Sequence, residues 1–291
     1  MSLPDEAGGA GLSVADEALA FREYGRALLS PSLISTVLAA RVAHHVGDAN
    51  LLEQIREGRS RAALAVPLGG KLDASAHGEL HVFDGDECDL VVAWDRYGAA
   101  LFDVAQFTTG ACRAPQPITG LDPSVTLALA SPSDAPARFY VSAGAEPLPS
   151  WGRLLTASML VGIAEAARDM SVEHAKTRQQ FGVPIGTFQA IKHRCADMAL
   201  NAEAAWSQTC YAALCLRERL AEAEFQVAAA KLIAANAALS ATAENIQVHG
   251  AMGFTAELGA HLLLKRAHLL NQVGTSARAL SAEILTYPAP A

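Results

Sequence analysis

Five cysteines are the first residues to weigh for chemistry: Cys88, Cys112, Cys195, Cys210 and Cys215. A thiolate nucleophile or a zinc site needs a base, a His or a second Cys at suitable spacing. The five are odd in number, include no Cys-x-x-Cys pair, and lie mostly in apolar or helical context, so they read as reduced, structural thiols. His193 and His249 also read as structural, and Gln189 with Lys192, three residues on, as a polar helix face. Taken singly, Arg178 suits a solvated charge at a helix end, Phe181 plain core, and Gly250 and Gly253 helix stops. Any further chemistry must come from the way the elements group such residues.

The chain has 291 residues, 51% of them hydrophobic, enough for a substantial buried core in two layers or two small domains. A formal charge of −8 with dispersed Lys and Arg offers no footprint for nucleic acid or for an anionic bilayer. The N-terminus opens with acids where a secretory signal needs a basic and then an apolar segment, which leads us to expect a cytoplasmic protein. The most apolar helical stretch, 154–167, is too short to span a membrane and is interrupted by Thr156, Ser158 and Glu165.

Along the chain the texture is helical, then β, then helical. Ala15, Leu19, Ala20 and Tyr24 recur at helical spacing until Gly25, and Pro31 opens a second run through Leu33, Val37, Leu38 and Val42, which predicts two short helices over 13–57. Between 62 and 141 short apolar runs such as Leu90-Val-Val-Ala-Trp94 predict an antiparallel β region, with turns at Asp84-Gly85 and Tyr97-Gly98. From 154 to 285 long Ala- and Leu-rich helical patterns, broken by Gly and Pro at 181–188 and by Gly at 249–254, predict an antiparallel bundle. The expected class is α+β, mostly α: a partial helical segment (1–60), a small β domain (61–150) and a C-terminal four-helix bundle (151–291).

Two long segments carry a resemblance. Ala175-Lys-Thr-Arg-Gln-Gln-Phe-Gly-Val-Pro-Ile-Gly-Thr-Phe-Gln-Ala-Ile-Lys-His-Arg-Cys-Ala-Asp-Met198 closely resembles the signature of the acyl-CoA dehydrogenase family. Ala243-Glu-Asn-Ile-Gln-Val-His-Gly-Ala-Met-Gly-Phe-Thr-Ala-Glu257 resembles that family's glycine-broken helix junction. Gly274-Thr275-Ser276 is similar to its flavin-contacting Gly-Thr-Ser, and Pro4-Asp-Glu-Ala-Gly-Gly-Ala-Gly-Leu12 to a loop between its early helices. The likeness is strongest over 154–285. Because it starts at that loop, the family's first helices are expected to be missing, and Met1-Ser2-Leu3 is read as a scar ahead of a longer natural sequence.

The resemblance implies FAD-linked α,β-dehydrogenation of an acyl-CoA, in fatty acid or sterol side-chain β-oxidation, with FAD held partly across a subunit interface. It implies that Arg178 reaches a neighbouring subunit's FAD, where a planar fork of donors suits pyrophosphate oxygens, with Phe181 beside the cofactor. It implies that Gln247 hydrogen-bonds the adenosine part, that Gly250 and Gly253 admit its close approach, and that Thr275 donates to flavin or pyrophosphate. It also implies a dimer or tetramer, and an electron-transfer flavoprotein as a frequent electron acceptor.

The family's base departs from this pattern. The reaction needs a carboxylate within reach of the α-proton, usually just before Gly-Thr-Ser, where this chain has Val273. Its neighbours Asn271 and Gln272 are neutral amides. In other members the carboxylate precedes the Arg opening the first bundle helix, where this chain has Gly152 before Arg153. No catalytic residue is therefore identified, and Glu257 and Glu283, the nearest acids in sequence, read as structural. Ala65-Val-Pro-Leu-Gly-Gly70 replaces a Thr-Glu-Pro-like strand, and 71–88 is too short for the hairpin that precedes the family's Trp-bearing strand, so that strand reads as deleted.

The losses fall on groups serving a chain's own flavin and substrate, whereas those reaching a neighbour's flavin persist. The expectation is a subunit without its own base, inactive alone, paired with a homologous dehydrogenase subunit that mainly binds the FAD. The alternatives are a homomeric dehydrogenase with a relocated base, and a flavin-free homologue kept for oligomerisation, for which Trp206, Tyr211 and Leu214 are candidate contacts.

Overall fold

The computed structural model describes residues 1–69, 72, 78–107, 116–130 and 136–288. Cys112 and the pair Gly70-Lys71 lie outside them. The chain gathers into two compact units that interleave in sequence: Met1–Ser13, Ser30–Arg153 and Val273–Thr275 form one, and Val14–Leu29, Leu154–Gln272 and Ser276–Ala291 the other. Among the described residues no helix is long and apolar enough to cross a membrane.

The first unit is a seven-stranded sheet with helices α2 (Ser32–His45) and α3 (Ala49–Arg56). Its strands are β1 (Ala62–Pro67), β2 (Leu80–Phe83), β3 (Leu90–Trp94), β4 (Gly98–Asp103), β5 (Gln116–Pro117), β6 (Leu127–Ala130) and β7 (Phe139–Ser142), in the order β5-β6-β2-β1-β3-β4-β7. Every ladder is antiparallel except β1 with β3, because the chain leaves β2 on one side of β1 and passes to the other. Ala63, Ala65, Val91, Ala93, Ala100 and Phe102 build the sheet's core. The turn at Tyr97-Gly98 is held by Asp95, whose Oδ1 accepts from both amides at 2.7 and 3.2 Å. At the other expected turn Asp84 takes φ +52 and accepts from Ser30 Oγ and, at 3.0 Å, from the Thr126 amide.

The second unit is helical: α1 (Val14–Arg26), the greater part of α4 (Leu148–Thr177), α5 (Gln189–Arg217), α6 (Ala223–His249), α7 (Ala260–Gln272) and α8 (Ala277–Ile284). Two findings correct the reading of α1. Its buried face is Val14, Ala18, Phe21 and Gly25, while Leu19 is exposed; apolar residues stand on both sides of this helix, and packing selects the side. Gly25 is also not the stop. It lies inside the helix where a Cβ would come 2.0 Å from the Met159 carbonyl oxygen, and at Gly162 a Cβ would come 1.9 Å from that of Arg22. The two glycines let α1 and α4 touch backbone to backbone. Arg22 and Arg26 lock the crossing onto the buried Glu165, with contacts of 2.6 and 2.8 Å from Arg22 and 3.3 Å from Arg26. The segment 13–57 carries three helices, not the expected two, since Gly47 at φ +77 ends one and Asp48 caps the next by accepting from Leu51 N.

Candidate cofactor-contact edge and base positions

Beyond Thr177, Gln179–Gln180 and Val183–Pro184 pair as a two-stranded ribbon, β8 and β9. Its turn puts Phe181 at φ +53 and Gly182 at φ +80, the left-handed pair of a tight hairpin. Phenylalanine is a costly choice there, and its ring is 92% exposed, set edge-on to Phe188 at 6.1 Å. Phe181 is thus not core. Arg178, at the ribbon's start, is exposed too, while its backbone is fixed by Arg178 N to His174 O at 2.9 Å and Ile185 N to Arg178 O at 2.8 Å.

The glycine-broken end of α6 is tied to the same corner. His174 stacks on His249 with ring centroids 4.1 Å apart, and His249 Nδ1 lies 2.8 Å from the Asn245 carbonyl. Burial, then the neighbouring His249 and Arg178, hold the His174 imidazole below the ordinary histidine value. Gln247 and Gly250 are exposed, and among the described residues nothing lies within 4 Å of a Cβ built on Gly250. Gly253 differs: it is buried, and a Cβ would come 2.5 Å from the Ile246 carbonyl oxygen, which gives it a packing reason. An open backbone, an exposed ring and an exposed guanidinium therefore flank the His174–His249 stack, with the exposed Gln247 amide on the last turn of α6. They suit the phosphate and adenosine parts of a cofactor presented from outside the chain.

The other motif closes inward. Val273 is fully buried, and Gly274 and Thr275 take φ +65 and +98. Arg153, 4% exposed, donates from Nε to the Gly274 carbonyl at 2.9 Å and from Nη2 to Thr275 Oγ1 at 2.9 Å. The indole of Trp94, at the end of β3, covers one of the two positions where a base was sought, Gly152, and also Gly274, the residue after the other. A Cβ on Gly152 would stand 2.7 Å from Trp94 Cε2, and one on Gly274 2.9 Å from its Nε1. Trp94 is 3% exposed, and its Nε1 has no hydrogen-bond partner among the described residues. A buried donor left so costs about 1–3 kcal/mol. The enclosed Val273 and the ring over Gly152 leave no room for a carboxylate at this turn.

The nearest acids in sequence sit in ordinary surroundings. Glu257 is exposed, and its own backbone amide with the Thr255 hydroxyl holds its carboxyl below the usual range, away from the basicity a proton acceptor needs. Glu283 accepts from the Tyr287 hydroxyl at 2.7 Å. Burial pushes the Cys88 thiol up to about 11 and raises those of Cys195, Cys210 and Cys215, against any role as thiolate nucleophiles. Among the described residues no cluster of His, Cys, Asp and Glu could hold a metal.

Trp94 and His174 escaped the sequence reading. Nothing local marks Trp94, whose apolar run reads as any buried strand; its meaning comes from the residues the fold brings beneath it. His174 stands four residues before Arg178, one helical turn, which is a signal that was there to find.

The family profile described as acyl-CoA dehydrogenase, C-terminal domain, matches residues 149–276. Acyl-CoA dehydrogenase IpdE2 of Mycobacterium tuberculosis is 35% identical over 309 residues, spanning 98% of this chain and 83% of the relative. In fold, the chain is similar to the ChsE4–ChsE5 complex of Mycobacterium tuberculosis (TM-score 0.79, 24% identity, 98% of this chain and 84% of that one). It is likewise similar to butyryl-CoA dehydrogenase from Megasphaera elsdenii (TM-score 0.73, 19% identity, 97% and 84%). With the ribbon, the glycine-broken helix end and the Gly274-Thr275 turn in place, and a relative of this identity spanning nearly all of it, the chain belongs to the acyl-CoA dehydrogenase family.

Proposed function

We propose that this chain is the base-less subunit of a heteromeric acyl-CoA dehydrogenase, lending Arg178, Phe181, Gln247 and Gly250 to FAD that a homologous partner subunit binds and serves with a carboxylate. One contrast carries the reading: both base positions are shut, Val273 by burial and Gly152 beneath Trp94, while the four contact residues face solvent. The chemistry FAD supplies when bound is acceptance of a hydride from the acyl β-carbon as a base removes the α-proton. This chain's share is binding and orientation. The Arg178 guanidinium neutralises and aligns pyrophosphate oxygens, Gln247 offers an amide to the adenosine, Gly250 lets backbone approach it, and Phe181 covers it from water. We place Thr275 at this chain's own turn, where Arg153 occupies its hydroxyl oxygen.

The ChsE4–ChsE5 structure, an assembly of two differently named chains, supports the heteromeric form. The relatives' names support an acyl-CoA thioester as substrate. To this we add a fatty acyl or sterol side chain as acyl group, an electron-transfer flavoprotein as acceptor, and the cytoplasm as location.

Bound FAD and its reduction by an acyl-CoA test this reading, measured for the chain alone and for the chain co-expressed with a base-bearing homologue. The expected result is FAD only in the mixed complex, about one per pair of chains, lost with Arg178→Ala. A lone chain that binds FAD and bleaches with acyl-CoA overturns it in favour of the homomeric enzyme. No FAD in either sample, with assembly intact, points instead to the flavin-free homologue.

A further inference from the structure

We propose that Trp94 is a plug: its indole fills the space beside Gly152 and Gly274, so that neither a carboxylate nor an acyl thioester reaches the Gly274-Thr275 turn in this chain. The inference deepens the partner-subunit reading by naming the residue that silences the site. It explains more than the missing base does, because a lost carboxylate alone leaves an open pocket that binds substrate unproductively.

Three observations meet at Trp94. The clearances are too short for any side chain beneath the ring: 2.7 Å to Cε2, with Cζ2 and Nε1 at 2.9 Å, from a Cβ on Gly152, and 2.9 Å to Nε1 from one on Gly274. The indole is 3% exposed, so among the described residues it is enclosed by protein. Its Nε1–H is buried without a partner among the described residues, although buried indoles ordinarily find one. Arg153 also ties down the turn, through Gly274 O and Thr275 Oγ1. A carboxylate restored at 152 therefore requires that Trp94 leave first.

The test reads the indole in the purified full-length chain. Trp94 is made the sole tryptophan by Trp151→Phe and Trp206→Phe, which keep a ring under Arg41 and Arg22. A plug gives blue-shifted emission, poorly quenched by acrylamide and unchanged when butanoyl-CoA is added. Red-shifted or readily quenched emission, or a change on adding butanoyl-CoA, overturns it, because the ring then faces water or yields to a ligand.

A thermal cycle reads the same contact without that chain. With Trp94 present, Gly152→Ala lowers the unfolding midpoint by about 3–8 °C through overpacking. With Trp94→Ala in place, the same change leaves the midpoint level or raises it, since alanine is the better helix former. Equal effects in both backgrounds overturn the proposal. Loss of FAD sharing on co-expression would sink the partner-subunit reading while leaving these results untouched.

Discussion

Phe181 is held against two preferences at once, a left-handed backbone and an aromatic ring in water. Strain of this kind persists where a partner uses it. Phe181→Gly removes the backbone penalty, so the isolated chain should hold or gain up to about 1 kcal/mol in urea unfolding, while FAD retention in the mixed complex falls. A loss of chain stability would show that the ring packs inside the chain after all. Val273 predicts the opposite pattern. Val273→Glu buries a carboxylate where the valine is fully enclosed, at a cost of about 3–5 kcal/mol near pH 8. Enclosure raises the folded-state pKa of that glutamate above its unfolded value, so the penalty grows as pH rises and shrinks at low pH. Equilibrium unfolding at pH 5 and pH 8 separates this from a simple shape mismatch, which has the same cost at both. The motif residues were legible in sequence because each is a chemical type at a fixed spacing. Trp94 was not, because its role is steric and its neighbours Gly152 and Gly274 are distant in the chain.

At the scale of elements, the junctions matter more than the helices themselves. Gly25 and Gly162 bring α1 and α4 into backbone contact, and Glu165 accepts from Arg22 and Arg26 across them. Glu165→Ala should cost about 1.5–3 kcal/mol in chemical denaturation, the range for charged hydrogen bonds and below that of a fully buried pair, because both arginines stay partly hydrated. An unchanged midpoint would mean the crossing rests on packing alone. The hairpin corner predicts a pH effect. His174, packed on His249 and near Arg178, is held below 6.5, so the unfolded chain takes up a proton more readily than the folded one. Stability from this group is present above about pH 6.5 and is lost as pH falls from there through the folded value. His174→Phe keeps a ring in the stack and should flatten the profile between pH 5 and 7; an equally steep variant would place the titration elsewhere. Element types were readable from periodicity, and the breaks at 181–188 and 249–254 from Gly and Pro. The face of α1 was not readable, since Leu19 and Phe21 are both apolar and only packing against α4 and α5 decides between them. The parallel pairing of β1 with β3 was equally hidden, because strand order is a property of the sheet and not of either strand.

At the scale of the molecule, the question is what covers the apolar surface left on the helical unit. Leu200, Ala204, Ser207, Tyr211 and Leu214 all lie exposed along α5, at alternating spacings of four and three residues, which places them in one stripe. Leu200 is 68% exposed, and the stripe's small residues allow another helix to approach closely. Trp206 drops out of the expected contact set, being half-buried under the Arg22 guanidinium 4.5 Å away. A net charge of −8 adds long-range repulsion between copies, so self-association must rely on such local apolar contact, whereas a less acidic partner subunit meets a smaller barrier. Leu200→Glu with Leu214→Glu puts two charges on the stripe without touching the core. The doubly substituted chain should keep its unfolding midpoint within about 0.5 kcal/mol of the parent, as surface substitutions do. Its mass by sedimentation should fall to that of the single chain, or of an unpaired subunit after co-expression. If the assembly survives both charges, the stripe is solvent-facing and the contact must be sought elsewhere, beginning with the exposed Phe254 and Met252 beyond α6. If the assembly falls apart and FAD leaves with it, cofactor retention depends on subunit contact, as expected where one chain supplies the guanidinium and another the base.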